Sequence, residues 1–204
     1  MKLIKRFSKI KVEQLLEKNN WSVLDIGCGY SANKYANVIC DTQDLKSFYK
    51  DKKFVQLSDK ILPFRDNEFD FVVASHVLEH VQDPVLFLSE IQRVSSIGGY
   101  IEVPTKLEDN LVFENKKDHL WHIDFDDDEK EIIISKKENY FEPILTVSTV
   151  KKLQKYFRKS LVIELYWENE INFSFNDSKN ESFEKISRLT LLRKFISKKI
   201  RSLF

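Results

Sequence analysis

The sequence has little of what marks several common classes of protein. Its two cysteines, Cys28 and Cys40, have a spacing that fits neither a metal-binding motif nor a disulfide framework, so a reducing compartment is expected. No run of apolar residues approaches the roughly 20 that span a bilayer. Residues 1–6 carry positive charge without a following apolar core, which is not the pattern of a secretory signal. These absences favour a cytoplasmic globular protein.

Charge is unevenly distributed along the chain, although the net charge of the 204 residues is only +1. Residues 1–18 hold six Lys or Arg against two Glu, and residues 176–204 hold eight against three acidic residues. The intervening residues 19–175 are left with about −8. Because a nucleic-acid-binding domain usually presents a basic face, this acidic body argues against nucleic acid as a partner. The length suits a single domain.

Short strands alternate with helices over the first half of the chain. Near-helical spacing of apolar residues predicts a lead-in helix within residues 1–20. Asp83-Pro84 predicts the start of a second helix, and Gly98-Gly99 its end. Buried strands are predicted at residues 21–26, 38–40, 69–74 and 100–103. This alternation indicates a parallel sheet, in which ligands bind beyond the carboxyl ends of the strands.

The pattern changes after Pro104. Period-two patterning predicts a β-hairpin, or lid, inserted within residues 105–145. The elements predicted beyond Pro104 are hairpin strands at 119–125 and 132–134, a helix at 147–158, and strands at 161–167 and 171–175. Residues 1–175 are therefore expected to form the domain. Residues 176–204 are expected to end in a basic amphipathic helix.

A glycine-rich turn follows the first buried strand, in the segment Val23 to Tyr30. Gly27 and Gly29 lack side chains and let the backbone approach a ligand closely. Asp25 offers a carboxylate that can orient a cationic amino group. Asp41, which closes the next strand, is placed to accept hydrogen bonds from two vicinal ribose hydroxyls. The pattern predicts a site for a nucleoside that carries a positive group.

The same segment resembles the first motif of class I S-adenosylmethionine-dependent methyltransferases of the small-molecule (type 11-like) kind. Further stretches continue the resemblance in order: 62–70, 74–81, 83–84 and 93–99. The resemblance implies an α/β fold, a Rossmann-like three-layer sandwich. Its sheet is expected to be mostly parallel and seven-stranded, with an antiparallel last strand, completed by residues 161–167 and 171–175. S-adenosylmethionine is the implied cofactor and S-adenosylhomocysteine the product.

The resemblance also assigns cofactor contacts position by position. The methionine end of the cofactor is expected to contact Asp25, Gly27, Cys28 and Gly29, and the ribose to contact Asp41 and Thr42. The adenine is expected to contact Ser58 or Asp59, and the methyl group to lie near Ser75. One departure lies between Gly29 and Asp41. The family usually has a full helix there, whereas residues 31–37 leave room for about two turns. The loop over the cofactor is therefore expected to be short and open.

Two other motifs compete with this interpretation. Residues 27–32 also satisfy the G-x-G-x-x-A dinucleotide fingerprint, but an acid that binds the ribose is expected about 20 residues on, and Asp41 follows Gly27 by only 14. Residues 76–80 match the H-x-x-E-H string of zinc peptidases. The helix is predicted to begin only after that string, which leaves no helical face to hold both histidines. No metal is therefore expected.

Three histidines are candidates for a general base: His76, His119 and His122. Alternation along a strand would place His122 and Asp124 on one face and His119 on the other, which does not favour a shared metal. The expected function is methyl transfer to oxygen or nitrogen of a small-molecule or sugar acceptor. The alternative is a non-catalytic cofactor-binding interaction protein of the same fold. The basic tail is expected either to touch the inner face of a membrane or to pack in a homodimer.

Overall fold

The computed structural model of the chain describes residues 3–176 and 187–201. It contains strands and helices over most of that length. In chain order they are β1 (Leu3–Arg6), α1 (Lys9–Lys18), β2 (Val23–Ile26), β3 (Val38–Asp41), β4 (Lys53–Gln56), β5 (Phe69–Ser75), α2 (Pro84–Val94), β6 (Ser95–Pro104), α3 (Lys106–Leu111), α4 (Asn115–Asp118), β7 (Trp121–Asp126), β8 (Glu131–Lys136), α5 (Val147–Leu161), β9 (Val162–Glu168), β10 (Phe173–Phe175) and α6 (Arg188–Arg201).

Seven strands form the main sheet, in the order β1-β9-β6-β5-β2-β3-β4. Pairs from β6 to β4 are parallel, whereas β9 is antiparallel to both β6 and β1. The predicted Rossmann-like fold, with a mostly parallel seven-stranded sheet whose last strand in the chain is antiparallel, is confirmed. The sheet also contains β4, a short edge strand of half-exposed residues that the sequence pattern did not reveal.

The central strands are buried on both faces, as their nearly continuous apolar sequences require. Leu24 and Ile26 of β2 pack on one side with α2, through Leu88 and Ile91. Val23 points the other way, into a cluster that α1 covers. The sheet is thus the middle of three layers, and the site at its carboxyl edge is built on rigid strands.

The N-terminal segment differs from the prediction. The lead-in helix expected within residues 1–20 is present as α1, which begins at Lys9, but Leu3–Arg6 before it is a strand. Strand β1 pairs with β9, with Leu3 opposite Glu168 and Arg6 opposite Leu165. The distant edge of β9 offers unpaired backbone groups, and Ile4 is buried against it, so tertiary pairing outweighs local helical spacing.

Residues 171–175 also differ from the prediction, since they do not extend the main sheet. Strand β10 instead pairs in parallel with β8, and β8 pairs antiparallel with β7. This three-stranded sheet contains the predicted hairpin inserted after β6. Ile132 and Ile134 are fully buried and join the main core. Phe173 packs against the same core, which explains why β10 follows the hairpin rather than the main sheet.

The helix α2 begins as predicted and ends earlier. Asp83 caps it by accepting a hydrogen bond from the Leu86 amide at 2.9 Å, and Pro84 occupies its first turn. The helix ends at Val94, however, and Gly98-Gly99 lies inside β6 rather than at a helix end. A Cβ atom on Gly98 would lie 2.0 Å from the Trp167 carbonyl oxygen. These glycines are required by close strand packing.

The C-terminal helix α6 is exposed at nearly all of the side chains that the structure describes. Its apolar side chains Leu189, Leu192, Phe195 and Ile196 are all exposed. The rest of the expected tail, residues 177–186 and 202–204, lies outside the described residues. Within the described ranges, no helix combines the length and the apolar character that a membrane crossing requires.

Candidate functional site

Two adjoining cavities open beyond the carboxyl ends of the central strands. The first, about 600 Å³ in volume, is called here the Asp41 cavity, and the second, about 780 Å³, the Asp25 cavity. Each is named for the acidic residue that lines it. Gly27, His76 and His80 line both of them. The two cavities therefore meet at one junction, formed by the turn after β2 and the segment after β5.

The turn after β2 is shaped by its glycines. Gly27 and Gly29 have φ angles of 64° and 48°, which L side chains rarely adopt. A Cβ atom on Gly27 would lie 2.4 Å from Cγ2 of Val77, whereas nothing lies within 4 Å of the Cβ position of Gly29. The backbone thus faces open space at Gly29 and packs tightly at Gly27. The loop from residue 27 to residue 37 contains no helix, so the two turns for which residues 31–37 leave room do not form.

Asp41, at the end of β3, lines the cavity that is named for it. One carboxylate oxygen accepts a hydrogen bond from the Gly29 amide at 2.9 Å, and the other from the Gln43 amide at 3.0 Å. Each oxygen keeps a second lone pair that can accept a hydrogen bond from a hydroxyl group. Thr42 and Asp59 line the same cavity. Of the two positions expected near the adenine, 58 and 59, it is Asp59 that lines the cavity.

Asp25, on β2, is a buried acid that lines the second cavity. One of its oxygens accepts a hydrogen bond from the Asn33 amide at 2.7 Å. Burial raises the pKa of the Asp25 carboxyl to about 6, because little else compensates the charged form. Burial likewise raises the pKa of the neighbouring Cys28 thiol to about 12, so this cysteine lines the cavity as an uncharged group.

His76 lies at the junction of the cavities, directly after Ser75, which lines the Asp25 cavity. Its φ of 57° turns the backbone sharply away from β5. Nδ1 lies 3.2 Å from Glu79 Oε1, and Nε2 lies 3.4 Å from Glu102 Oε1. Burial lowers the pKa of the imidazole, but these hydrogen bonds outweigh burial and raise it to about 10. His76 is thus a cation near neutral pH and is poorly suited to accept a proton.

Glu102 is the centre of a network of hydrogen bonds that the sequence did not reveal. The signal that could have pointed to it is that Glu102 is a single acidic residue in an otherwise apolar stretch of strand. Its Oε2 accepts hydrogen bonds from Tyr100 Oη and Arg158 Nη2, each at 2.7 Å. Burial raises the pKa of the Glu102 carboxyl, but His76 and the nearby Lys9 reverse that effect and lower it to about 2. A permanently charged carboxylate therefore holds His76 in place.

The two histidines near the hairpin share one carboxylate, contrary to the prediction that they face opposite ways. His119 follows α4 and precedes β7, so strand alternation does not apply to it. Its Nδ1 lies 2.5 Å from Asp109 Oδ1, and His122 Nδ1 lies 2.9 Å from Asp109 Oδ2. Asp109 is buried in α3, and its pKa is below the ordinary value because these contacts outweigh burial. No sequence signal pointed to Asp109.

The three predicted bases thus have different surroundings. His119 lines the Asp25 cavity, whereas His122 is buried beneath it and its Nε2 contacts the backbone of Glu138. Asp124 is half-exposed and lies 3.8 Å from Lys106. The structure therefore brings His76 and His119 to the cavities and leaves His122 behind them.

The Asp41 cavity and its junction fit a nucleoside that carries a cationic amino group. Asp41 presents acceptors for vicinal hydroxyls, and Asp25 presents a carboxyl group behind the glycine turn. The open space at Gly29 gives the ligand room beside the backbone.

Comparisons with known proteins find similar methyltransferase sequences over part of the chain. Residues 24–103 match the family described as "Methyltransferase domain". An uncharacterised protein of Methanocaldococcus jannaschii is 36% identical over 109 residues, which cover 48% of this chain and 46% of that protein. A probable chloroplastic tocopherol O-methyltransferase of Oryza sativa is 33% identical over 118 residues, covering 47% and 32%. The chain spans less than half the length of these relatives.

Among solved structures, a crystal structure of a Pyrococcus horikoshii protein matches 79% of this chain and 88% of its own, with 18% identity and a TM-score of 0.46. The matched family segment, residues 24–103, spans β2 to β6 and so contains the glycine turn, Asp41 and His76. S-adenosylmethionine is the cofactor of this family. Residues 24–103, less than half of the chain, are similar to this methyltransferase-domain family, and the main sheet has the mostly parallel, seven-stranded form of a Rossmann-like fold.

Proposed function

We propose that this protein transfers a methyl group from S-adenosylmethionine to an oxygen or nitrogen atom of a small polar molecule, with sugars among the candidates. The observation that carries the proposal is the junction of the two cavities at Gly27, His76 and His80. One cavity has the acceptors that a nucleoside requires, and the other is lined by charged and polar side chains. Donor and acceptor would meet at the junction.

The chain's own residues would bind the cofactor as follows. Asp41 and Thr42 hold the ribose hydroxyls, and Asp59 lies beside the adenine. Asp25 attracts the amino group of the methionine end, and the backbone at Gly29 lies against it. When bound, the cofactor supplies a methyl group on a positively charged sulfur, which departs as a neutral thioether.

The Asp25 cavity would hold the acceptor. Its lining includes Glu108, Lys151 and Arg158, which suit a ligand rich in hydroxyl groups. The acceptor atom forms its bond to the methyl carbon as the carbon–sulfur bond breaks, and a hydroxyl acceptor must also lose its proton. The cationic ring of His76 borders the acceptor, while its two nitrogens are held by Glu79 and Glu102. His119 is the predicted base that remains beside the cavity. Holding the reactants in line can itself supply roughly 7–11 kcal/mol of the barrier.

Calorimetric titration with S-adenosylmethionine, S-adenosylhomocysteine and NAD as control tests the cofactor assignment. Micromolar binding of the two sulfur nucleosides, without binding of NAD, is expected. A screen of sugars and phenols then measures formation of S-adenosylhomocysteine. Turnover with any acceptor supports the enzyme. Tight binding with no turnover across the screen favours the non-catalytic interaction protein instead.

The raised pKa of Asp25 predicts a pH dependence of cofactor binding. Below pH 6 the carboxyl becomes neutral and no longer attracts the ammonium group, so affinity should fall by about tenfold per pH unit. The stability of the fold changes with pH in the opposite direction and rises as the pH falls. The reason is that the folded chain binds this proton more tightly than the unfolded chain does. The cost of the charged group is present above pH 6 and disappears as the pH falls towards 4. Asp25→Asn should abolish the pH dependence, which titrations from about pH 5 to 8, on both sides of the folded-state pKa of about 6, would show. An unchanged profile in the variant contradicts the role.

A second proposal concerns α6, which would lie on an anionic membrane surface. Its apolar side chains are exposed, and its sequence carries basic residues without an acid. Each basic residue near such a surface contributes about 1 kcal/mol. The double substitution Arg193→Glu with Lys194→Glu should therefore weaken binding to phosphatidylserine vesicles by about 30-fold or more. Co-sedimentation measures the effect, with phosphatidylcholine vesicles as control. The proposal is contradicted if the double variant binds phosphatidylserine vesicles as well as the unmodified chain does. It is also contradicted if the unmodified chain forms a dimer that binds neither kind of vesicle.

A further inference from the structure

Three side chains at the junction of the cavities form a cluster suited to a metal ion. A carboxylate oxygen of Glu79 and one nitrogen each of His80 and His119 lie within 4.8 Å of one another. The rings of His80 and His119 meet edge to face, with centroids 4.4 Å apart. His80 lines both cavities, and His119 lines the Asp25 cavity. The cluster therefore borders the place where donor and acceptor would meet.

Glu79 supplies the strongest indication that a cation belongs there. Its side chain is fully buried, and Oε1 is held by His76 at 3.2 Å. The other oxygen, Oε2, is also buried but has no hydrogen-bond partner within residues 3–176 and 187–201. Leaving a carboxylate oxygen unpaired in the protein interior is costly. A metal ion bound to Oε2 would remove that cost.

The two histidines are already oriented for ligation through their outer nitrogens. His80 Nδ1 lies 2.9 Å from the Asp118 carbonyl oxygen, and His119 Nδ1 lies 2.5 Å from Asp109 Oδ1. A carbonyl or carboxylate partner fixes the proton on Nδ1 and leaves the Nε2 lone pair for a metal. Asp109 thus has the place that a supporting carboxylate takes behind a metal-bound histidine.

We propose that Glu79 Oε2, His80 Nε2 and His119 Nε2 bind a divalent transition-metal ion of the zinc class. Two imidazoles and one carboxylate form a ligand set that zinc uses in catalytic sites, with a further position open. Magnesium prefers oxygen ligands and would bind poorly. Bonds of about 2.0–2.2 Å require ligand atoms about 3.4 Å apart. The three ligand atoms, which lie within 4.8 Å of one another, would therefore draw together when the metal binds.

This proposal replaces the sequence-based expectation of no metal at the H-x-x-E-H string. That expectation required His76 and His80 to share a helical face. In the structure the string supplies Glu79 and His80, while His76 holds the other oxygen of Glu79. The third ligand, His119, comes from the segment before β7, some 40 residues away in sequence, where no local pattern could reveal it.

The open position of the metal would face the junction, where it would bind an oxygen atom of the acceptor. This step rests on the proposed function. A hydroxyl bound to the metal would release its proton to solvent water more readily, which would make its oxygen a better nucleophile at neutral pH. Of the two roles open to His119, base and ligand, the cluster assigns it the second. The acceptor class is thereby narrowed to hydroxyl compounds such as phenols and vicinal diols.

The site is tested by metal binding alone, in the absence of cofactor and acceptor. The purified chain is stripped with a chelator and titrated with Co²⁺, followed by competition with Zn²⁺ and with Mg²⁺. One Co²⁺ per chain is expected, with the intense visible bands of a low-coordinate nitrogen–oxygen site, displaced by Zn²⁺ and not by Mg²⁺. His80→Gln, at an exposed position that leaves the fold intact, and Glu79→Gln should each weaken binding by about tenfold or more.

His122→Gln is the matched control, because His122 contacts the same Asp109 but is not a ligand, so its substitution should leave Co²⁺ affinity within about twofold of the unmodified chain. Melting temperatures establish that each variant is folded. Absence of saturable Co²⁺ binding, or equal affinity of His80→Gln and the unmodified chain, overturns the site. Calorimetry with S-adenosylhomocysteine reports separately on the proposed function, so the failure of one does not imply the failure of the other.

Discussion

Replacing Asp41 with alanine should weaken S-adenosylhomocysteine binding by about 100-fold. The expectation follows from the two ribose hydroxyls, each of which would donate a hydrogen bond to this carboxylate. A hydrogen bond to a charged group contributes about 1.5 kcal/mol or more, so the loss of two costs about 3 kcal/mol. Asp41 also accepts the Gly29 amide, so the glycine turn loses one of its supports as well. Isothermal calorimetry measures the change directly.

Asp44→Ala provides the control for this substitution. Asp44 lies three residues further along the chain, is exposed, and only accepts a hydrogen bond from the Lys46 amide. Its removal should leave the affinity within about twofold of the unmodified chain. The melting temperature of each variant separates loss of binding from loss of fold. An Asp41→Ala protein that is folded and binds with unchanged affinity would show that the ribose assignment is wrong.

The substitution Gly98→Ala should destabilise the fold by about 3 kcal/mol or more. The added Cβ would lie 2.0 Å from the Trp167 carbonyl oxygen and 2.9 Å from the Glu168 Cα. Both atoms are backbone, so no side-chain rotation relieves the overlap and the pairing of β6 with β9 must open. For a domain of this size the melting temperature should fall by roughly 6–12 °C.

Ser96→Ala is the matched change within the same strand. Ser96 is exposed, and its hydroxyl makes one hydrogen bond, to Asp70 at 3.2 Å. Its loss should cost about 1 kcal/mol or less. Thermal unfolding followed by circular dichroism compares the two variants. Equal melting temperatures would mean that the strands separate at Gly98 without penalty, contrary to the close approach described.

The sequence predicts the part of the fold in which local pattern and tertiary structure agree. The strands of the central sheet are short, buried and bounded by turn residues, and Asp83-Pro84 determines where α2 begins. It does not predict β1, or that β10 pairs with β8, because each of these pairings depends on a partner far away in the chain. Gly98-Gly99 was interpreted as a helix stop for the same reason, since the contact with Trp167 cannot be inferred from neighbours.

The candidate site divides in a similar way. Asp25 and Gly27 lie in one motif and Asp41 ends the next strand, so their grouping at the carboxyl edge of the sheet follows from the chain itself. The surroundings of His76 and His119 do not, because Glu102 and Asp109 reach them from other elements. Which histidine is charged and which is oriented depends on those distant acids. The sequence therefore predicts which residues lie at the site, but it does not predict their protonation states or their hydrogen-bond partners.

The edge strand β1 has a consequence for how the chain folds. Among the described residues its partner is β9, and Leu3 pairs with Glu168, so this contact closes nearly the whole length of the domain. During synthesis β1 is made before β9 and stays unpaired until β9 is available. Strand β9 also covers the free edge of β6. Contacts of such long range slow folding, and uncovered edges invite pairing between chains. A chain interrupted before β9 would expose β6 along ten residues, and aggregation would compete with completion of the sheet.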